Sequence, residues 1–147
     1  MSVAASPCPL CAGDGGTVLW RDAACRVVRV EGDEGLAFAG FCRVIWRSHV
    51  AEMSDLPPPD RVHLMQVVDA VERVLRRHLV PDKINLASLG NVVPHLHWHV
   101  IPRWRDDSHF PAPIWAAPSR PALSRSRPDD AMLKADLAAI LGKAVAD

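Results

Sequence analysis

The chain has 147 residues, 49% of them hydrophobic, with 17 basic and 17 acidic side chains. That length buries one sizeable core, and that composition is not the composition of a disordered chain. Zero formal net charge leaves no global field to draw the protein toward DNA, RNA or an acidic membrane, although a compact patch can still hold a small anion.

The start, MSVAASPCPLCAGDGG, has no basic n-region and no apolar run, so no signal peptide is expected. No stretch approaches the ~20 apolar residues of a membrane span. A cytoplasmic protein is expected, in which four cysteines are thiols or metal ligands rather than disulfides. The first sixteen residues are rich in Ala, Gly and Pro and read as a loop or arm containing Cys8 and Cys11. Residues 17 to 33 alternate in two short pieces, like a hairpin. Residues 35 to 46, GLAFAGFCRVIW, are apolar and β-prone and read as a further strand. From Pro57 the period changes. Val62, Met65, Val68, Val71 and Leu75 recur every three or four positions, which predicts an amphipathic helix beginning near Pro59 or Asp60. Arg76, Arg77 and His78 suit its C-terminus, and Pro81 stops it.

Residues 83 to 90 and 94 to 104 read as two adjacent strands. A Pro/Ser/Arg-rich connector follows Trp115, and residues 129 to 147 form a last amphipathic helix. The order of strands, helix, strands, helix predicts an α+β fold with an antiparallel sheet. A main domain over 1–115 and a C-terminal extension over 116–147 are expected. The connector lacks core-forming residues, so the last helix is expected to sit peripherally or on a partner subunit.

The segment PHLHWHVIPRW, 94 to 104, carries the chemistry. Side chains alternate along a strand, so His95, His97 and His99 share one face and Leu96, Trp98 and Val100 the other. Three imidazoles in a row are costly to desolvate as ordinary core. Two uses fit. All three can bind one catalytic zinc with an open position. Alternatively the middle imidazole attacks phosphorus, being largely unprotonated at neutral pH. Such a nucleophile needs its second ring nitrogen held by an acceptor, and its first left free and open to solvent.

HLHWHVI, 95 to 101, fits the pattern His-φ-His-φ-His-φ-φ, with φ hydrophobic, and the chain resembles the histidine-triad (HIT) superfamily of nucleotide hydrolases and transferases. GFCRVIWRSHV (40 to 50) is similar to that family's segment ending in Pro-Lys-x-His, and the helix after Pro57 stands where the family has its long helix. The resemblance covers roughly residues 8 to 115. It implies a five-stranded antiparallel sheet with one long helix packed on it, and a homodimer. It implies that His97 attacks the α-phosphate of a nucleotide, such as a dinucleoside polyphosphate or a nucleoside phosphoramidate. A nucleotidyl-histidine then forms and is resolved by water, while His99 contacts the phosphates. Transferases of the superfamily replace the third histidine by glutamine, so retention of His99 favours hydrolysis.

Cys8-Pro9-Leu10-Cys11 by itself is a zinc corner, a redox pair or coincidence. A redox pair of the thioredoxin type needs a strand before it and a helix after it, and this one lies in a Gly/Pro arm. Some histidine-triad proteins carry a similar N-terminal pair, and there two histidines complete the metal site. The corresponding residues are His49 and His95, so a structural zinc at Cys8, Cys11, His49 and His95 is implied, with no metal required for the chemistry. Cys25 and Cys42 lie in expected strands and read as small core residues.

The chain departs from the family in three places. Phe41 stands where many members have a histidine, keeping a ring and losing a hydrogen-bonding group. The loop before the triad is shortened to SLGNVV, with Asn91 for a usual glutamine and Val92 for a hydroxyl residue that can bond the leaving group. The shorter loop also reshapes the phosphate pocket, where Asn85, Ser88 and Asn91 are the candidate phosphate or ribose ligands. Arg43, Arg47, Arg103 and Arg105 flank the site in sequence and could steer a polyphosphate, although each reads first as solvated surface; His63 and His78 read as surface or boundary residues of the helix. Residues 106 to 115 read as a lid or dimer segment, because Phe110 and Trp115 need cover. Arg120, Arg125 and Arg127 form too small a basic cluster for nucleic-acid readout. Two rival readings remain: a zinc hydrolase using all three histidines as ligands, and a nucleotide sensor with little turnover.

Overall fold

The computed structural model describes residues 7–146; the loop expected over residues 1–6 lies outside them. A four-residue helical turn, α1 (Pro9–Ala12), carries the cysteine pair. Strands β1 (Thr17–Arg21) and β2 (Cys25–Arg29) form the expected hairpin. Its turn is closed by Asp22, whose Oδ1 accepts the N–H of Ala24 and of Cys25, both at 2.8 Å. Such side-chain mimicry of a backbone turn is what Asp does well.

The segment expected as one strand over 35 to 46 is divided. A short helix, α2 (Gly32–Ala37), comes first, and strand β3 (Cys42–Trp46) follows. Asp33 and Glu34 sit in the first turn of α2, where acidic groups oppose the helix dipole favourably. Gly40 makes the break: its φ is +82°, and a Cβ there would lie 2.4 Å from Leu79 Cδ1. Leu36, which made the segment look β-like, is exposed.

Helix α3 (Pro58–Leu79) opens on two prolines, carries Arg76, Arg77 and His78 in its last turn, and ends at Val80 in the left-handed region, just before Pro81. Its buried side comprises Leu64, Val67, Val68, Ala70, Val71, Val74 and Leu75. The stripe anticipated from Val62 and Met65 is therefore rotated, and Val62 is 58% exposed. The reason is that α3 is covered on two sides, by the sheet and by the last helix, so its apolar face is wide.

Strands β4 (Lys83–Ala87) and β5 (His97–Arg103) complete one antiparallel sheet in the order β1-β2-β3-β5-β4. Cys42, Val44 and Trp46 of β3 and Val100 of β5 pack with α3 in the main core. The opposite face of the sheet carries two smaller clusters. Leu10, Val28 and Ile45 form one, beneath the arm. Val30, Phe38, Phe41, Ile101 and Ile114 form the other. The histidines lie between them.

Helix α4 (Asp130–Leu141) is capped by Asp129, whose Oδ1 accepts the N–H of Met132 at 2.9 Å. It neither sits at the periphery nor waits for a partner. Leu133 and Leu137 are buried in the main core, and α4 packs on α3 and β1. Arg29 holds Asp130 at 2.7 Å and His78 meets Asp136 at 2.5 Å. Burying each leucine stabilises this placement by about 1.5–3 kcal/mol. Among the described residues no helix is long and apolar enough to cross a membrane.

Candidate active site

Strand β5 begins at His97, and His95 lies in the bend that leads into it. The antiparallel register sets Ile45 of β3 opposite His97 and Arg43 opposite His99. Directly opposed residues present their side chains on the same face. The histidine face is thus built by two strands and is not left open: His97 is 9% exposed and His99 5% exposed. The expectation of a ring standing free in solvent is corrected to a largely buried ring with one accessible nitrogen.

That nitrogen is identified by elimination. His97 Nδ1 lies 2.5 Å from the backbone carbonyl of His95, so Nδ1 carries the proton and Nε2 the lone pair. Nε2 has no hydrogen bond to any described residue. Among the buried side-chain nitrogens and oxygens of those residues, only Trp98 Nε1 lacks a partner, so Nε2 keeps contact with solvent. His97 also contributes to the lining of a cleft of about 270 Å³, with Ser88, Leu89, Gly90, Met53 and Trp98. A larger cleft of about 580 Å³ lies around the arm, Arg26 and Arg47, away from the triad strand, and offers no imidazole nucleophile. Burial lowers the pKa of His97; the His95 carbonyl opposes this, and the charges of Arg43 and His95 add to it. A neutral, nucleophilic imidazole is the form held at neutral pH.

His99 is held differently. Arg43 Nε–H donates to His99 Nδ1 in a long hydrogen bond of 3.4 Å, which leaves the His99 proton on Nε2. The ring meets His97 edge-on at 4.9 Å and Trp115 edge-on at 5.0 Å between centroids. Burial, then the neighbouring His97 and Arg43, push its pKa down to about 3. His99 is therefore a neutral hydrogen-bond donor in this site, and the positive charge beside it belongs to Arg43.

Cys8, Cys11, His49 and His95 converge, their donor atoms all within 4.8 Å of one another. His95 Nδ1 is 3.4 Å from Cys8 Sγ and 3.5 Å from Cys11 Sγ. His49 Nδ1 is 3.3 Å from Cys11 Sγ and 3.2 Å from His95 Nδ1. A tetrahedral zinc with Zn–S of about 2.3 Å and Zn–N of about 2.0–2.1 Å requires edges of roughly 3.6 Å for S···N and 3.3 Å for N···N. The four side chains fit that ion. His95 Nε2–H donates to the Trp46 carbonyl at 2.6 Å, the outer bond that fixes a ligating histidine's tautomer and aims Nδ1 at a metal. With Nδ1 of His95 turned to the cysteines and Nδ1 of His97 on a carbonyl, the three imidazoles do not converge on one point, which counts against a shared catalytic zinc.

The expected phosphate ligands are only partly gathered. Ser88 lines the His97 cleft, and its hydroxyl donates to the His97 carbonyl at 3.1 Å. Asn85 stands on the histidine face opposite Ile101, but its Oδ1 accepts from Arg103 at 2.7 Å, leaving only its amide nitrogen for a ligand. Asn91 is exposed and outside the cleft, because the turn at Gly90, with φ +76°, directs residues 91 and 92 outward. Val92 is likewise solvent-facing. The contact from this loop comes instead from residues 88 to 90.

Of the four flanking arginines, Arg47 and Arg105 are exposed as expected. Arg103 is not a surface residue: it is 1% exposed and bound to Asp107. Phe38 and Phe110 cover its guanidinium at 5.6 and 5.7 Å. This anchors residues 106–115 and brings Trp115 to His99. Arg120 braces the same segment through the carbonyls of Asp107 and Phe110. Arg125 is paired with Asp106 and Arg127 with Asp130. Cys25 and Cys42 are buried, and burial raises both thiols, Cys42 to about 12. His63 pairs with Asp22 at 2.6 Å. Asp107 and the placement of Arg43 went unread in the sequence, since only strand register and a distant aspartate give them meaning.

The fold and its alternating imidazoles define a histidine-triad protein. The HIT domain model matches residues 36–106. A histidine triad protein from Marinobacter aquaeolei VT8 is similar to the chain at 26% identity and a TM-score of 0.68, over 92% of this chain and 95% of that one. A Zn-bound histidine triad family protein from Mycobacterium smegmatis is similar at 24% identity and a TM-score of 0.62, over 90% and 94%. The chain belongs to the histidine-triad superfamily. An AP-4-A phosphorylase of Mycobacterium tuberculosis is 29% identical over 92 residues, 58% of this chain and 47% of that protein. A bis(5'-adenosyl)-triphosphatase of Saccharomyces cerevisiae is 33% identical over 64 residues, 40% of this chain and 31% of that protein. The chain thus spans less than half the length of these curated relatives.

Proposed function

We propose that the protein is a nucleotide hydrolase or nucleotidyl transferase of HIT type, working by double displacement at an α-phosphate. His97 Nε2 attacks phosphorus, the bond from phosphorus to the leaving group breaks, and a nucleotidyl-histidine remains. Water then attacks the same phosphorus and releases a nucleoside monophosphate with His97 regenerated. The observation that carries this reading is the pairing of His97 Nδ1 with the His95 carbonyl at 2.5 Å while Nε2 accepts from no described residue. The carbonyl also stabilises the positive charge the ring acquires on substitution. His99 Nε2–H donates to a phosphate oxygen, and Ser88 and the Asn85 amide are the adjoining polar contacts.

Zinc is held by Cys8, Cys11, His49 and His95 in this reading, and its role is structural: it ties the arm to the sheet. The carbonyl of His95 is the acceptor that orients His97, so the metal site also steadies the nucleophile. A homodimer accords with the open edge of β4 and with Leu86 and Val62, apolar side chains left uncovered.

The test is incubation with a panel of diadenosine polyphosphates and adenosine phosphoramidate, followed by acid quench and intact mass measurement. A single nucleotidyl adduct is expected on the native chain and none on His97→Ala. Tight binding with neither adduct nor product after long incubation identifies a sensor. Immediate loss of turnover on chelation, with the fold intact, identifies a zinc hydrolase.

A further inference from the structure

Arg43 is the cation of the histidine face. It stands directly across from His99 in the β3–β5 register, and its guanidinium lies 5.3 Å over the Phe41 ring. Nε–H is engaged with His99 Nδ1 at 3.4 Å, and Nη2 with Glu34 Oε2 at 3.2 Å. A guanidinium has five N–H donors, and no other described residue accepts from this one. The other arginines near the face are committed elsewhere: Arg103 is sealed against Asp107, and Arg26 is spent on the arm carbonyls of Leu10, Gly13 and Asp14. The Arg43–Glu34 pair is half open, with side chains 23% and 50% exposed, and such pairs hold weakly in water. A phosphate offers charge and several acceptor oxygens, a better partner for a guanidinium than one exposed carboxylate.

We infer that Arg43 receives the phosphate of the leaving group, that Glu34 is the counter-ion it exchanges, and that the substrate class is therefore the nucleoside phosphate anhydrides rather than the phosphoramidates. This rests on the nucleotidyl-transfer reading of the same histidine face. When His97 Nε2 forms its bond to the α-phosphorus of an anhydride, the bridging P–O bond breaks. The electron pair then stays on an oxygen that departs as part of a phosphate. A fixed cation stabilises that developing charge without supplying a proton. An amine leaving group departs from a P–N bond only after gaining a proton, and a neighbouring guanidinium opposes that gain.

The experiment compares native protein, Arg43→Gln and Glu34→Gln on diadenosine tetraphosphate and on adenosine phosphoramidate, and measures binding of inorganic tripolyphosphate by calorimetry. Arg43→Gln is expected to lower kcat/KM on the anhydride roughly 100-fold, the scale for losing one positioned donor at developing charge. On the phosphoramidate, where Arg43 acts only by holding His99, the loss is expected to be roughly tenfold smaller. Tripolyphosphate should bind Arg43→Gln more weakly and Glu34→Gln more tightly than the native chain. Equal losses on both substrates, or tripolyphosphate binding indifferent to both substitutions, overturn the inference, since Arg43 then only orients His99. If the native chain turns over neither substrate, the nucleotidyl-transfer reading fails, and the tripolyphosphate measurement alone decides whether Arg43 binds phosphate.

Discussion

Removing the carboxylate of Asp107 should cost about 3–5 kcal/mol, the penalty for stripping one partner from a buried ion pair. Asp107 is 2% exposed and Arg103 1%. The carboxylate accepts from Arg103 Nε at 2.8 Å and Nη2 at 3.1 Å, and from the N–H groups of Trp104, His109 and Phe110 at 3.1, 3.0 and 2.8 Å. Burial by itself raises an aspartate's pKa, yet the guanidinium and those three N–H groups hold this one down at about 2. In Asp107→Ala the guanidinium keeps only Asn85 Oδ1 and the Ala112 carbonyl among described residues, and the three N–H groups lose their acceptor. For a chain of this size 1 kcal/mol moves Tm by about 2–4 °C, so the expected drop is about 6–20 °C in a circular-dichroism melt. Arg103→Met combined with Asp107→Ala should be less damaging than Asp107→Ala alone, because the stranded charge is gone. A Tm for Asp107→Ala within a couple of degrees of native, or a double variant as unstable as the sum of the singles, would refute the reasoning.

Four further outcomes follow from the same geometry. An unfolded imidazole takes a proton near pH 6.5, whereas folded His99 does so only near pH 3. Between those values the unfolded chain binds more protons, so stability falls with falling pH, and urea titrations of His99→Gln should show a shallower acid slope. His97, also lowered, should put the acid decline of the nucleotidylation rate below the pH at which an ordinary imidazole titrates. Taking away a neighbouring positive charge raises an imidazole pKa, so Arg43→Gln should shift that decline to higher pH; a native decline centred above 6.5 contradicts the burial argument. Zinc should copurify with the native chain by mass spectrometry of the metal and be lost from Cys11→Ser, and chelation should lower Tm in the native chain alone. Leu137→Ala should cost about 2–5 kcal/mol, against a near-neutral Ile140→Ala, since Leu137 is in the core and Ile140 is 49% exposed.

Much of this was legible along the chain because the signals are local. Alternation fixed the histidine strand and its apolar reverse face, the change of period at Pro57 marked α3, and an imidazole needs no neighbour to be recognised as a nucleophile or a ligand. The pairing of Cys8 and Cys11 with His49 and His95 was implied by resemblance, and the distances agree with it. What the chain order hides is anything that depends on which strands lie side by side. Arg43 is an ordinary strand arginine until β3 and β5 pair and set it against His99. Arg103 looks solvated until Asp107 and two phenylalanine rings close around it. The last helix looks detachable until Leu133 and Leu137 find the uncovered flank of α3. Periodicity and side-chain type are properties of the sequence; opposition across a sheet and burial of a charge belong to the folded chain, because both are set by residues far apart in order and adjacent only in space.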